Sequence, residues 1–214
     1  FKPQISAILN LTPDHLNRHR TMKAYGEAKA RIFENQDERG YCIVNYDDKL
    51  CYGLTENCKA RVVPFSRLEE LDFGAFLKGD IIVIKNEAGE LIELCSRRDL
   101  KIIGDHNVEN ALAAAAICFF AGIERDVIAK TLTEFGGVEH RIEYSGEING
   151  VKFYNDSKGT NVDAAVIALR AINKNIILIA GGDGKDQSFD ELVKNFEGRV
   201  KHMILLGRDG RIIA

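Results

Sequence analysis

The chain has 214 residues, 45% hydrophobic and 29% charged, enough for one large or two modest domains with cores of their own. A formal net charge of -3 excludes a global field that would gather nucleic acid or an anionic membrane. No apolar run approaches the roughly 20 residues of a membrane span. The five cysteines include no C-x-x-C pair, which argues against a disulfide or zinc framework and for reduced thiols in the cytoplasm.

The chain opens on Phe1, carries no signal peptide, and runs at once into "PQISAILN"; it stops at "RIIA" with no capping element. Both ends point to a fragment of a longer protein. "ISAILN" (5–10) reads as a short strand that leads into the polar cluster "NLTPDHLNRH". "MKAYGEAKARIFENQ" then has helical spacing of Met22, Tyr25 or Ala28, Ile32 and Phe33. "YCIVNYDD" is strand-like, and "DIIVIKNEAGELIEL" reads as a hairpin around a glycine-containing turn. "DHNVENALAAAAICFFAGI" is a strong helix with Asp105 or Asn107 near its start and Gly122 as its stop. A further helix, "DVIAKTLTEF", ends at Gly136-Gly137.

That glycine pair, followed by "VEHRIEY", sets the expected boundary between a domain over 1–138 and another over 139–214. Beyond it Asn149-Gly150 is a hairpin signal. The order "VKFYN", "VDAAVIALRAI", "NIILIAGG", "SFDELVKNF", "HMILLG" then alternates strand and helix. Such β-α-β-α-β alternation is the sequence form of a doubly wound parallel sheet, so the fold class is α/β.

Open α/β sheets bind ligands beyond the carboxyl ends of their strands, beside the starts of the following helices. "NDSKGTN" and "GGDGKDQSF" occupy those places. Gly159 permits close backbone approach, Lys158 offers a positive charge, Thr160 a hydroxyl, and Asp156 a carboxylate. The plainer alternative is that Asp156, Ser157 and Thr160 cap the helix, although capping accounts for only one or two of them. "GGDGKD" is no Walker A loop, because Ile179 stands at its first glycine and Asp186 at its Ser/Thr. Lys185 on that glycine-rich turn either binds a carboxylate or is an ordinary exposed lysine.

In "NLTPDHLNRH", His15 and His19 stand at i, i+4, but the glutamate of H-E-x-x-H is missing. A single histidine assisting a Mg²⁺ held mainly by oxygens fits better than zinc. Lys29 reads as a solvated surface lysine. Asn107 and Asn110 at i, i+3 present neutral amides suited to an adenine or ribose edge, while N-capping would explain Asn107 equally well. His140-Arg141 lies near the expected boundary, where a guanidinium could reach a phosphate.

In this order, "ILNLTPDHLNRH", "AKARIFEN", "GDHNVENALAA", "HRIE", "NDSKGTN" and "GGDGKD" strongly resemble the Mur ligases of peptidoglycan synthesis, over essentially the whole chain. The last two clusters point within that family to the branch that adds D-glutamate to UDP-N-acetylmuramoyl-L-alanine. The alternatives are another Mur-type or folylpolyglutamate-type ligase, or a non-catalytic nucleotide-binding relative.

The resemblance implies the later part of a central ATPase domain followed by the first part of a Rossmann-like carboxyl-terminal domain. The missing P-loop and the UDP-binding domain would then lie upstream of Phe1, and the isolated fragment would be inactive. It further implies a cytoplasmic, monomeric ATP-dependent amide ligase that uses Mg²⁺ and acts through an acyl phosphate. His15 would be a Mg²⁺ ligand and Lys29 a carbamylated one. Asn107, Asn110 and Arg141 would contact ATP, joined by Asp156 and Lys158. Thr160 and Lys185 would bind the D-glutamate side. Two positions depart from the pattern: Gly159 replaces a common alanine, and Asn17 an aspartate.

Overall fold

The computed structural model describes all residues except 14–15, 183–187, 209 and 214, and describes no side chain for residues 16 and 17. The chain divides into two compact units, Phe1–Leu100 with Asn107–Phe135, and Lys101–His106 with Gly136–Ala214.

The first unit is built on a six-stranded sheet in the order β1-β2-β3-β4-β5-β6. Its strands are β1 (Ile5–Ile8), β2 (Tyr41–Asn45), β3 (Arg61–Ser66), β4 (Gly74–Lys78), β5 (Ile81–Lys85) and β6 (Leu91–Ser96). β1 to β4 run parallel, and β4, β5 and β6 antiparallel. Side chains alternate across β2. Ile43 packs with Val63, Phe65, Ile82, Ile84 and Leu112 on one face, while Cys42 and Val44 pack with Ile8, Tyr25, Phe33 and Cys51 on the other. A strand covered on both faces reads as a near-continuous apolar run, which "YCIV" is.

The first of these faces is covered by α4 (Asp105–Phe120) and α5 (Arg125–Glu134). The second carries α2 (Met22–Ala30), against which α1 (Leu16–His19) lies, and α3 (Lys49–Gly53); α2 and α3 supply Tyr25 and Cys51 to its core. α2 is shorter than the pattern through residue 36 suggests. Its end tightens into i→i−3 bonds, Ile32 N–H to Lys29 and Phe33 N–H to Ala30 (3.1 Å each), which close the helix.

β3 and β4 have no counterpart in the sequence reading. Pro64 interrupts the first, since proline argues against a central strand. It is accommodated because β4 pairs only beyond it, at Phe65↔Ala75 and Ser66↔Phe76. Where β4 begins, Gly74 has φ +106°, and a Cβ there would lie 2.0 Å from the Pro64 carbonyl oxygen. Only glycine fits that crossing.

The second unit contains the hairpin β7 (Glu143–Ile148) and β8 (Val151–Asn155), turning at Asn149 and Gly150 with φ +51° and +80°. α6 (Val162–Ile172), β9 (Ile176–Gly181), α7 (Asp190–Lys194), β10 (Val200–Leu206) and α8 (Gly210–Ile213) follow. β9 and β10 are parallel, and one face of the pair packs Ile176 and Leu178 against Val166, Leu169 and Leu192. The expected continuous sheet is corrected in one respect. β8 pairs only with β7, antiparallel, and among the described residues it makes no ladder with β9. The hairpin closes over a two-residue turn, which costs far less loop entropy than a long crossover.

Candidate functional site

In the first unit the carboxyl ends of β1, β2 and β3 are knitted together by "NYDD" (45–48). The Asn45 amide donates to the Leu9 carbonyl (3.0 Å), and the Leu11 N–H donates to Asp48 Oδ2 (2.8 Å). The other Asp48 oxygen accepts from the Leu50 and Cys51 N–H groups, capping α3. Asp47 accepts from the Ser66 hydroxyl (2.6 Å) and the Arg67 N–H (2.8 Å), and Arg67 pairs with Glu109 of α4 at 3.0 Å. These carboxylates fix the mouth of the sheet. The sequence reading passed over them, although two aspartates at a strand's carboxyl end were the available signal.

Lys29 lies in the last turn of α2 with its side chain exposed. Its Nζ is 5.2 Å from the centre of the Tyr25 ring. Together with Asn10, Ala7 and Leu9 it lines a cavity of about 610 Å³ beside the carboxyl end of β1. His15 lies outside the described residues, and among these no three His, Cys, Asp or Glu side chains converge as metal ligands. Asn107 and Asn110 are brought together, with the Asn110 amide donating to Asn107 Oδ1 at 3.2 Å. Asn107 is the third residue of α4 and not its cap.

In the second unit the loop after β8 resolves the capping alternative. Asn161 caps α6, its Oδ1 accepting from the Ala164 N–H at 2.8 Å. Asp156, Ser157 and Thr160 are therefore not the cap. Lys158 and Thr160 are exposed, and their side chains make no hydrogen bond among the described residues. Asp156 turns back instead, its Oδ1 accepting from the Ile142 N–H at 3.0 Å.

The Ile142 contact draws in the "HRI" turn. Lys158 N–H donates to the His140 carbonyl (3.0 Å), and His140 N–H donates to Glu143 Oε2 (2.8 Å). The Asn155 amide nitrogen lies 2.9 Å from His140 Nδ1 and 3.4 Å from Glu143 Oε2. His140 and Ile142 have φ of +66° and +44°. For a β-branched residue such a backbone is strained by about 1–3 kcal/mol, and surrounding contacts must hold it. Between them Arg141 is exposed, with no ion pair among the described residues.

Lys185 falls outside the described residues; β9 ends before it in the chain, at Gly181. Gly181 has φ +152°, and a Cβ there would meet the Leu206 carbonyl oxygen at 1.7 Å. Gly182 N–H donates to that same carbonyl at 3.0 Å. Gly181 thus serves the close approach of β9 and β10.

The profile of the Mur ligase middle domain matches residues 1–118. The chain belongs to the Mur ligase family. A second profile, the Mur ligase glutamate ligase domain, matches residues 140–214. A UDP-N-acetylmuramoylalanine--D-glutamate ligase of Thermoanaerobacter sp. (strain X514) is 51% identical over 100% of this chain and 47% of its own length. This Mur ligase chain therefore spans about half the length of the curated relatives it matches. MurF from Acinetobacter baumannii shares the fold, with a TM-score of 0.74 at 22% identity over 99% of this chain and 49% of that one. The MurF ligase from Thermotoga maritima in complex with ADP has a TM-score of 0.64 at 16% identity, over 97% and 53%.

Of the two departures from the Mur ligase pattern, Gly159 has a local consequence. A Cβ at that position would stand 2.5 Å from Asp156 Oδ2 and 3.0 Å from the Asp156 carbonyl oxygen. The glycine lets the Asp156 carboxylate fold back toward Ile142. Asn17 carries no described side chain.

Proposed function

We propose that this Mur ligase chain is part of an ATP-dependent ligase that adds D-glutamate to UDP-N-acetylmuramoyl-L-alanine. The observation that carries the proposal is the identity, along the whole chain, with relatives named for that reaction. It is supported by the loop after β8, where helix capping consumes Asn161 and leaves Lys158 and Thr160 unspent.

The L-alanyl carboxylate attacks the γ-phosphate of ATP, forming an acyl phosphate and releasing ADP. The D-glutamate amine then attacks the acyl carbon, and phosphate leaves from the tetrahedral intermediate. Two anions and a polyphosphate must be held together, so positioning and charge compensation dominate over acid–base help. In this scheme the Arg141 guanidinium and the Lys158 ammonium offset phosphate charge, and Asn107, Asn110 and Asp156 orient the nucleotide. Thr160 and Lys185 hold the incoming D-glutamate.

His15 and Lys29, the latter as a carbamate, would hold Mg²⁺, which when bound supplies further charge compensation at the transferring phosphoryl group. The exposed Lys29 amine beside the β1 mouth is open to carbamylation, which turns an ammonium into a carboxylate-like ligand. The domain assignment, 1–138 central and 139–214 carboxyl-terminal, belongs to the same proposal.

The test is phosphate release by the full-length protein with ATP, UDP-N-acetylmuramoyl-L-alanine and a panel of amino acids. Turnover with D-glutamate alone is expected. Preference for another amino acid would overturn the substrate assignment while leaving the ligase chemistry in place.

A further inference from the structure

Glu143 and Asn155 stand outside the residues assigned above, yet they meet at the strained turn that bears Arg141. Four contacts clasp that turn. Glu143 accepts from the His140 N–H (2.8 Å), Asp156 from the Ile142 N–H (3.0 Å), and the His140 carbonyl from the Lys158 N–H (3.0 Å). Asn155 sits between, its amide nitrogen 2.9 Å from His140 Nδ1 and 3.4 Å from Glu143 Oε2. Its own Oδ1 accepts from the Ser157 N–H at 3.1 Å, so one amide braces both the turn and the start of the Lys158 loop.

We propose that Glu143 and Asn155 are positioning residues. From the base of the β7–β8 hairpin they hold the His140–Ile142 turn to the loop 155–159, so that Arg141 and Lys158 are set as one unit.

Two features of the geometry support this. The left-handed conformation at Ile142, next but one to a left-handed His140, is one that a β-branched side chain strongly disfavours, so it persists only where neighbours impose it. The imposing groups also come from both strands of a hairpin whose register fixes them opposite each other, Glu143 paired with Asn155. Register makes the clasp a property of the hairpin and not of a lone loop. The Arg141 and Lys158 side chains themselves are exposed and take no part in it.

The consequence for nucleotide use rests on the function proposed above; the clasp itself does not. Its test therefore has two readouts. The first is amide hydrogen exchange in the 214-residue chain, which needs no ligand. Glu143→Ala and Asn155→Ala should speed exchange at His140, Ile142 and Lys158 by about tenfold or more, while Leu169 and Ile176 keep their protection. Glu143→Gln retains an acceptor oxygen and should restore most of it.

The second readout is steady-state kinetics of the full-length enzyme. Both alanine variants should raise KM for ATP by about tenfold, with KM for D-glutamate unchanged within about twofold, and Glu143→Gln should stay within about threefold of the parent. Unchanged exchange in both alanine variants would overturn the clasp. Faster exchange with an unaltered KM for ATP, or with equal rises in both KM values, would overturn the positioning role. If the parent enzyme uses no ATP, the function proposed above falls, and exchange alone still decides the clasp.

Discussion

Gln36→Leu should uncouple β1 from the start of β2, and its cost follows from the contacts of one buried amide. Gln36 is 2% exposed; its Oε1 accepts from the Ser6 hydroxyl (2.8 Å), and its Nε2 lies within 3.1–3.3 Å of the Pro3, Gln4 and Tyr41 carbonyls. The Gln4 carbonyl already accepts from Tyr41 N–H at 2.9 Å, so its loss is small. The Ser6 hydroxyl, 4% exposed, is left without an acceptor. An orphaned buried donor costs about 1–3 kcal/mol, and the weakened carbonyls add about 1 kcal/mol more. Leucine recovers about 1 kcal/mol through apolar burial. The net expected loss is about 2 kcal/mol.

Urea unfolding of the 214-residue chain followed by circular dichroism measures it, and Ser6→Ala supplies the control. Ser6→Ala alone should cost about 1 kcal/mol, because it orphans Gln36 Oε1. In Ser6→Ala/Gln36→Leu both orphans vanish, so the pair should couple by about 1 kcal/mol or more. Strict additivity, or a Gln36→Leu loss below about 0.5 kcal/mol, would refute the reasoning.

Gly74→Ala places a Cβ 2.0 Å from the Pro64 carbonyl oxygen at φ +106°, so a loss above about 3 kcal/mol is expected in the same unfolding assay. Asn161→Ala removes the α6 cap and should cost about 1 kcal/mol, with Asn161→Asp close to the parent. Burial pushes the Cys42 and Cys51 thiols up to about 12. A raised folded-state value means a stability contribution present below the unfolded thiol range and lost as pH rises from about 9 toward 12. Denaturation midpoints should fall across that alkaline window. In native protein at pH 8, maleimide should spare both thiols, while rapid labelling of either would contradict their burial. In the full-length enzyme, Lys29→Ala should abolish turnover, with partial rescue by small carboxylates; full activity would refute the carbamate role.

The hairpin strands β5 and β6, the long α4 and the β-α alternation of the second unit were legible because each carries a local signal: a turn glycine, an apolar period, a cap. β3 and β4 were not. Pro64 reads as a breaker in isolation, and only the late start of its pairing with β4 admits it. The site divides in the same way. The polar excess of "NDSKGTN" marked a candidate ligand loop, but which residue capped the helix depended on φ and ψ at Asn161. Glu143 gave no signal, since its partners are the backbone of His140 and an amide twelve residues on.

By itself, then, the sequence determined the class of fold, the family, and the polar loops proposed as ligand sites, because apolar period, turn residues and polar clusters are encoded within a few neighbouring positions. Tertiary structure alone decided which polar side chains are consumed. Asp47, Asp48, Gln36 and Asn161 are spent on backbone groups, Asp156 commits one oxygen to Ile142, and Lys158, Thr160 and Arg141 stay exposed. The reason is physical. A buried N–H or carbonyl must find a partner, and which side chain reaches it depends on strand register and loop path, not on distance along the chain.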